Sequence, residues 1–237
     1  MPSNDLDQLP VPRLPIREED KRLFASINGF VHQYMSNYDN SHDYQHILRV
    51  LSNTNRIHQA ELKADPSASY DTTAMFLAAA LHDVGDHKYA KPGEDVEHQI
   101  ANTLLHHGAS KELALKVQTI VKHVSYSHEA SNPQGVALCL EQHPELAIVQ
   151  DADRLDAIGA VGIARTFSFG AAKMPDLPMG RTIDHFEEKL YRLAGIMKTA
   201  SGREMARQRH EILMEFVDKM EELVNDSVIR ESRERLK

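Results

Sequence analysis

The sequence contains no tryptophan, a single cysteine, and only seven Phe and seven Tyr among its 237 residues. A lone Cys139 excludes an internal disulfide and any zinc centre built from several thiolates, and it is compatible with a reducing compartment. No apolar run approaches the ~18 residues of a membrane span. Residues 1–10 also lack the basic-then-apolar order of a secretory leader, so an intracellular, cytoplasmic protein with no membrane partner is expected. Basic residues are outnumbered: 27 Lys and Arg stand against 35 Asp and Glu, a formal charge of −8. That balance disfavours a nucleic-acid partner held by phosphate neutralisation. It leaves room for a small anionic substrate, because a local cationic pocket or a metal overrides the net field. What is abundant is histidine, with 14 copies.

The apolar fraction of 41% and charged fraction of 26% are those of a globular chain. The length fits one domain. Residues 1–16 carry Pro2, Pro10, Pro12 and Pro15 with little apolar content and read as a short disordered N-terminal tail, leaving 17–237 as the domain. Helical periodicity then takes over. Leu23, Phe24, Ile27, Phe30, Val31 and Tyr34 form one stripe. Tyr44, Ile47, Leu48 and Leu51 form a second, with Asp43 as N-cap. A third helix starts at the capping residue Asp71 and is expected to stop near Gly85. Further helices are expected over 96–107, 110–124, 145–167, 182–199 and 201–228. Residues 127–135 and 168–181 read as loops because of their polar residues, prolines and glycines. No alternating run long enough for a strand is present, so the fold class is all-α, one helical bundle.

The chemistry concentrates in His46, the adjacent pair His82-Asp83, and Asp151-Ala152-Asp153. Two imidazoles with carboxylates make a ligand set suited to one divalent transition metal: Mn, Fe, Co, Ni or Zn. Adjacent His and Asp point about 100° apart on a helix and converge only where the helix is ending, which Gly85 supplies here. Asp151 and Asp153 lie about 200° apart, so only one can face an ion. Asp151 shares its stripe with Ile148, Leu155 and Ile158, whereas Asp153 shares one with Ala157, Ala160 and Ala164, which leave room.

These residues, in the order His46, Leu81-His82-Asp83-Val84-Gly85 and Ala152-Asp153-Arg154-Leu155, resemble the H…HD…D pattern of the HD-domain phosphohydrolase superfamily. Longer strings narrow the resemblance to its metal-dependent nucleotide pyrophosphohydrolases: His42-Asp43-Tyr44-Gln45-His46, His82 through Lys88, Gln150 through Phe167, and His185 through Leu190. The resemblance covers nearly all of the chain beyond the tail. It implies an all-helical HD domain that binds one catalytic metal through His46, His82, Asp83 and Asp153. Asp151 and Asp156 are then capping partners or orient a ligand imidazole. It also implies that Asp86, three residues beyond Asp83, acts as the catalytic acid, here with Asp in place of the more usual Glu.

The expected activity is hydrolysis of nucleoside triphosphates to monophosphate and pyrophosphate. Lys88, Lys122, His123, Arg165, His185 and Lys189 are the candidates for holding substrate phosphates; His185 and Lys189, four apart, share a helix face. Three alternatives stand beside this reading: a five-prime-nucleotidase, a di-iron oxygenase, and a nucleotide-sensing module without turnover. The oxygenase would need extra histidine ligands. His98, His106, His107 and His123 do not reproduce that spacing, and His106-His107-Gly108 reads as an exposed helix end. The last helix could pack in a homodimer.

Overall fold

The computed structural model describes residues 11–38, 43–85, 98–176, 183 and 185–225. At its centre is α3 (Thr72–Leu81), buried along its whole length from Thr73 to Leu81. Such a helix is apolar all round and needs neighbours on every side. It receives them from α1 (Lys21–Met35), α2 (Tyr44–Ala64), α5 (Lys111–Lys122) and α8 (Glu145–Asp156). Asp71 starts it by accepting the Ala74 N–H at 3.1 Å, and Asp43 starts α2 by accepting the His46 N–H at 3.0 Å. Each cap contributes about 1 kcal/mol. Helix α4 (Gln99–His106) packs on α5. Among the described residues there is no strand, and no helix is long and apolar enough to cross a membrane. Leu14 and Ile16, within the stretch read as tail, pack against the core.

Four expectations are corrected. The stretch 127–135 is largely helical: α6 (Tyr126–Ser131) and α7 (Pro133–Gln142) meet at Asn132. Ser125 caps α6, while Asn132 accepts the Gly135 N–H at 3.1 Å with Pro133 in the first turn of α7. Asn-Pro is therefore a helix start here, because proline has no N–H to lose at that position. Helix α7 buries Val136 and Cys139, and burial pushes the Cys139 thiol up to about 11, so it packs as a neutral group.

The expected helix over 145–167 is two helices, α8 and α9 (Gly159–Lys173). The break falls where Ile158 is extended and Gly159 takes φ 73°, a conformation that costs an L-residue with a side chain about 1–2 kcal/mol. Helix α9 then runs through Gly170 into the region read as loop, since one internal glycine costs only about 1 kcal/mol.

Over 182–199, a π-helical turn (Phe186–Leu190), a single α-turn (Tyr191–Leu193) and a 3-10 turn (Ala194–Ile196) replace a regular helix. Phe186, Leu190, Leu193 and Met197 are nevertheless all buried. The backbone leaves helical geometry at Met197 to begin α10 (Ala200–Asn225) in a fixed place. Buried Asp151 accepts the N–H groups of Lys198 and Thr199 and the Thr199 hydroxyl, each at 2.8 Å. One carboxylate thereby binds the donors that precede α10.

Candidate metal centre

Helix α3 ends at Leu81, four residues before Gly85, so His82 and Asp83 lie in the turn that follows it. That is the condition under which neighbouring side chains can converge. His82 Nδ1 lies 2.9 Å from the carbonyl oxygen of Ala79 and donates to it, which leaves Nε2 as the lone-pair nitrogen. His46, in the first turn of α2 and buried, is oriented the same way: its Nδ1 is 2.7 Å from Asp156 Oδ2. The two Nε2 atoms face each other at 3.1 Å. Asp83 completes the group at 3.2 Å from His46 Nε2 and 3.4 Å from His82 Nε2. Asp153 Oδ1 reaches both imidazoles at 3.6 Å.

These separations fit a shared cation. Ligands about 2.1 Å from one ion lie roughly 3.0–3.5 Å from each other. Two imidazole lone pairs aimed at one point are mutually repulsive unless a positive charge sits between them. Without a metal that charge is a proton. Burial disfavours an imidazolium at His82, yet Asp83 and Asp153 outweigh it and raise its pKa. Burial likewise opposes ionisation of Asp153, and the hydrogen bond and charge of His82, then of His46, hold its pKa below the usual carboxylate range. Among the described residues, His46, His82 and Asp83 are the group whose ligand atoms lie close enough to hold an ion, within 4.8 Å of one another.

The carboxylate behind His46 is the strongest polar node of the site. Asp156 is buried and also accepts Arg49 Nε at 2.8 Å, Arg49 Nη2 at 3.1 Å and Arg165 Nη1 at 3.0 Å. Burial raises its pKa, but His46, Arg49 and Arg165 together drive it far below the normal range. The end of α8 is secured as well: Asn53 donates to the Ala152 carbonyl at 3.1 Å, and Arg209 of α10 donates to that of Leu155. These two bonds tie the last turn of α8, which carries Asp153 and Asp156, to α2 and α10.

Asp151 and Asp153 occupy opposite faces of α8. Asp153 meets the imidazoles, and Asp151 turns away to the start of α10. His123 donates Nδ1–H to Thr119 O at 2.8 Å, and its own carbonyl accepts Gln150 Nε2 at 2.7 Å, one turn before Asp153. Its ring meets that of His128 at 4.9 Å, and Lys189 lies 5.6 Å over the neighbouring Tyr126 ring. Lys122 is exposed beside His123. Arg165 is engaged by Asp156, and His185 lies 3.7 Å from Glu188 on its own turn. Asp86 and Lys88 lie outside the described residues, as does His42.

Arg49 was not singled out from sequence, although its place three residues after His46, on the same helix face, was the available signal. His128 was passed over too. Its Nε2 is buried, and its pKa is lowered by burial first and by His123 and Lys122 next.

An HD-domain family model matches residues 43–158, which span every residue of this cluster. The Bacillus subtilis protein YpgQ is 34% identical over 203 residues, covering 82% of this chain and 90% of YpgQ. The chain belongs to the HD-domain phosphohydrolase superfamily. The crystal structure of YpgQ in complex with ADP superposes with a TM-score of 0.65 at 30% identity, covering 88% of this chain and 97% of that one. An HD-superfamily hydrolase from Bacillus thuringiensis gives 0.62 at 27% identity, over 85% and 96%. A Lactobacillus plantarum structure gives 0.67 at 28%, over 87% and 97%. HD domains bind divalent metals, and His46, His82 and Asp83 form a group that could hold one.

Proposed function

We propose that this HD domain hydrolyses nucleoside triphosphates to a nucleoside monophosphate and pyrophosphate. The observation that carries the reading is the convergence of His46, His82, Asp83 and Asp153 on one point. It is supported by a relative of the same fold that was crystallised with ADP. When bound there, a divalent ion such as Mn or Ni supplies Lewis acidity toward a phosphoryl oxygen and toward the attacking water.

The remaining chemistry belongs to the side chains. His46 and His82 present Nε2 because Asp156 and the Ala79 carbonyl hold Nδ1–H. Asp83 and Asp153 balance the charge of the ion. Lys122, His123 and Lys189 are proposed to draw off the pyrophosphate end, with His123 able to use the nitrogen not bound to Thr119. Lys88, Arg165 and His185 remain proposed phosphate contacts. Asp86 is proposed as the acid for the leaving group.

The experiment is a nucleotide panel with Mn²⁺, Ni²⁺, Co²⁺ and Mg²⁺, followed by hydrolysis in ¹⁸O-labelled water. Attack at the α-phosphorus places the label on the monophosphate and none on pyrophosphate. Orthophosphate released first, or a nucleoside produced from a monophosphate, would replace this reading with the nucleotidase.

A further inference from the structure

Helix α6 is six residues long and buries none of them completely. Tyr126 packs against the core while partly exposed, and Glu129 adds an ionic anchor. Its carboxylate accepts Arg154 Nη2 from α8 and Lys198 Nζ, the latter at 2.5 Å. Arg154 is only 2% exposed, and its Nη1 donates to the Ile196 carbonyl at 3.2 Å. One carboxylate and one guanidinium therefore join three segments: α6, the last turn of α8, and the stretch that runs from Phe186 into α10. A buried guanidinium without its anion is strongly destabilising, so the junction holds one arrangement. Burial opposes the charge on Glu129, while Lys198 and Arg154 keep its pKa below the usual carboxylate range.

Two of the segments carry, or pack on, side chains proposed above to hold the phosphate chain. Tyr126 of α6 presents its ring to Lys189, whose Nζ is 5.6 Å from the centroid. His128, on the same helix, meets the His123 ring at 4.9 Å with the planes 89° apart. His123 Nδ1 is given to Thr119 O, and the His128 ring restricts how the imidazole can turn about that bond. Lys189 belongs to the stretch that Arg154 anchors at Ile196. The junction thus sets Lys189 from two sides, through the Tyr126 ring and through its own backbone.

We propose that Glu129 is a positioning residue for the far end of a nucleoside triphosphate: through α6 it holds Tyr126 and His128 against Lys189 and His123, and so favours a triphosphate over a monophosphate. This deepens the proposed hydrolysis and rests on it for the place of the phosphates. Glu129 is occupied by two cations and acts only through its helix. A monophosphate has no terminal phosphates to offer Lys189 and His123, so its binding is insensitive to α6. Charge and position predict opposite signs for Glu129→Gln. By charge alone a polyanion should bind more tightly, because Arg154 and Lys198 lose their anion; by position it should bind more weakly.

The test is isothermal titration of the full chain loaded with Mn²⁺, in buffer of matched Mn²⁺. The ligands are α,β-methylene ATP, which cannot be cleaved at the α-phosphorus, and AMP; adenine follows the relative crystallised with ADP. Wild type should hold the analogue more tightly than AMP. Glu129→Gln should weaken the analogue about tenfold and AMP less than twofold. Tyr126→Leu, which removes the ring beside Lys189 and leaves the ion cluster in place, should weaken the analogue about threefold. It decides the matter if circular dichroism shows Glu129→Gln unfolded. Mn²⁺ affinity by chelator competition should stay within twofold of wild type in both variants. The proposal is overturned if wild type prefers AMP, or if folded Glu129→Gln or Tyr126→Leu binds the analogue as tightly as wild type. It is overturned too if AMP or Mn²⁺ weakens in proportion to the analogue. Turnover is read separately: a wild type that binds the analogue as expected but releases no pyrophosphate from nucleoside triphosphates would remove the hydrolysis and leave the positioning role standing.

Discussion

Replacing Asp156 by Asn tests whether the metal centre depends on a residue that does not touch the metal. The carboxylate accepts four hydrogen bonds, from His46 Nδ1, Arg49 Nε, Arg49 Nη2 and Arg165 Nη1, at 2.7–3.1 Å. The amide is the same size but carries no charge and offers one acceptor oxygen instead of two. If its NH₂ takes the place of Oδ2, which receives His46 Nδ1, Arg49 Nη2 and Arg165 Nη1, it forces His46 Nδ1 to accept. The imidazole proton then moves to Nε2, the atom proposed to bind the ion.

Metal affinity should fall by about 10–100-fold, the usual consequence of losing the group that orients a ligand imidazole. Stability should fall by roughly 3 kcal/mol, the lower end for breaking a buried charge cluster. The lower end applies because Arg49 is 35% exposed and can be rehydrated. For a chain of this size that corresponds to a drop in Tm of about 6–12 °C. Competition with a chromophoric chelator at fixed pH measures the affinity, and circular dichroism reports folding. A folded Asp156→Asn protein that binds Mn²⁺ as tightly as wild type would refute the tautomer argument.

Asp153→Ala should lose metal by the same chelator assay, whereas Asp151→Ala should keep it and instead lose about 2–4 kcal/mol in urea unfolding, since three donors at the start of α10 lose their acceptor. Gly202→Ala should destabilise the protein by a comparable amount in the same denaturation, because a Cβ there would stand 2.2 Å from Asp151 Oδ2 and 2.7 Å from Thr199 Oγ1. His58 is buried against Tyr70 and Phe76, and burial lowers its pKa in the folded state. The unfolded chain therefore binds the proton more readily, so stability is full above the unfolded value of about 6.5 and declines as pH falls from there toward the folded pKa. His58→Phe should flatten that decline between pH 7 and pH 5 in parallel urea titrations; an unchanged slope would mean that His58 is not its source.

The all-helical class was legible because most helices here carry a one-sided apolar stripe, and because Asp43 and Asp71 announce their helices with capping side chains. Helix breakers do not act alone. Pro133 was counted against a helix, yet with Asn132 before it the same residue opens one. Gly170 was counted against a helix that tolerates it, while Gly159, inside a periodic run, marks a true break. Periodicity reports which side chains are buried, and it is silent on whether the backbone between them stays regular. Residues 186–197 show this: Phe186, Leu190, Leu193 and Met197 are inside, although the turns that carry them are π, α and 3-10 in succession.

The candidate site divides along the same line. The two aspartates of α8 could be separated from sequence because a helix fixes the angle between residues two apart. The structure sends Asp153 to the imidazoles and Asp151 to the start of α10 accordingly. The convergence of His82 and Asp83 was also arguable, since α3 has to end before both can face one point. What no spacing could show is the competition for Asp156. Arg165, 9 residues further on, shares that carboxylate with His46 and Arg49, which are 110 and 107 residues away in the chain. A cation expected from sequence to contact phosphate is thereby engaged, in part, in orienting a proposed metal ligand. Charge on a helix face identifies what a residue can bind, and only the packing of α2 and α9 against α8 decides which anion reaches it first.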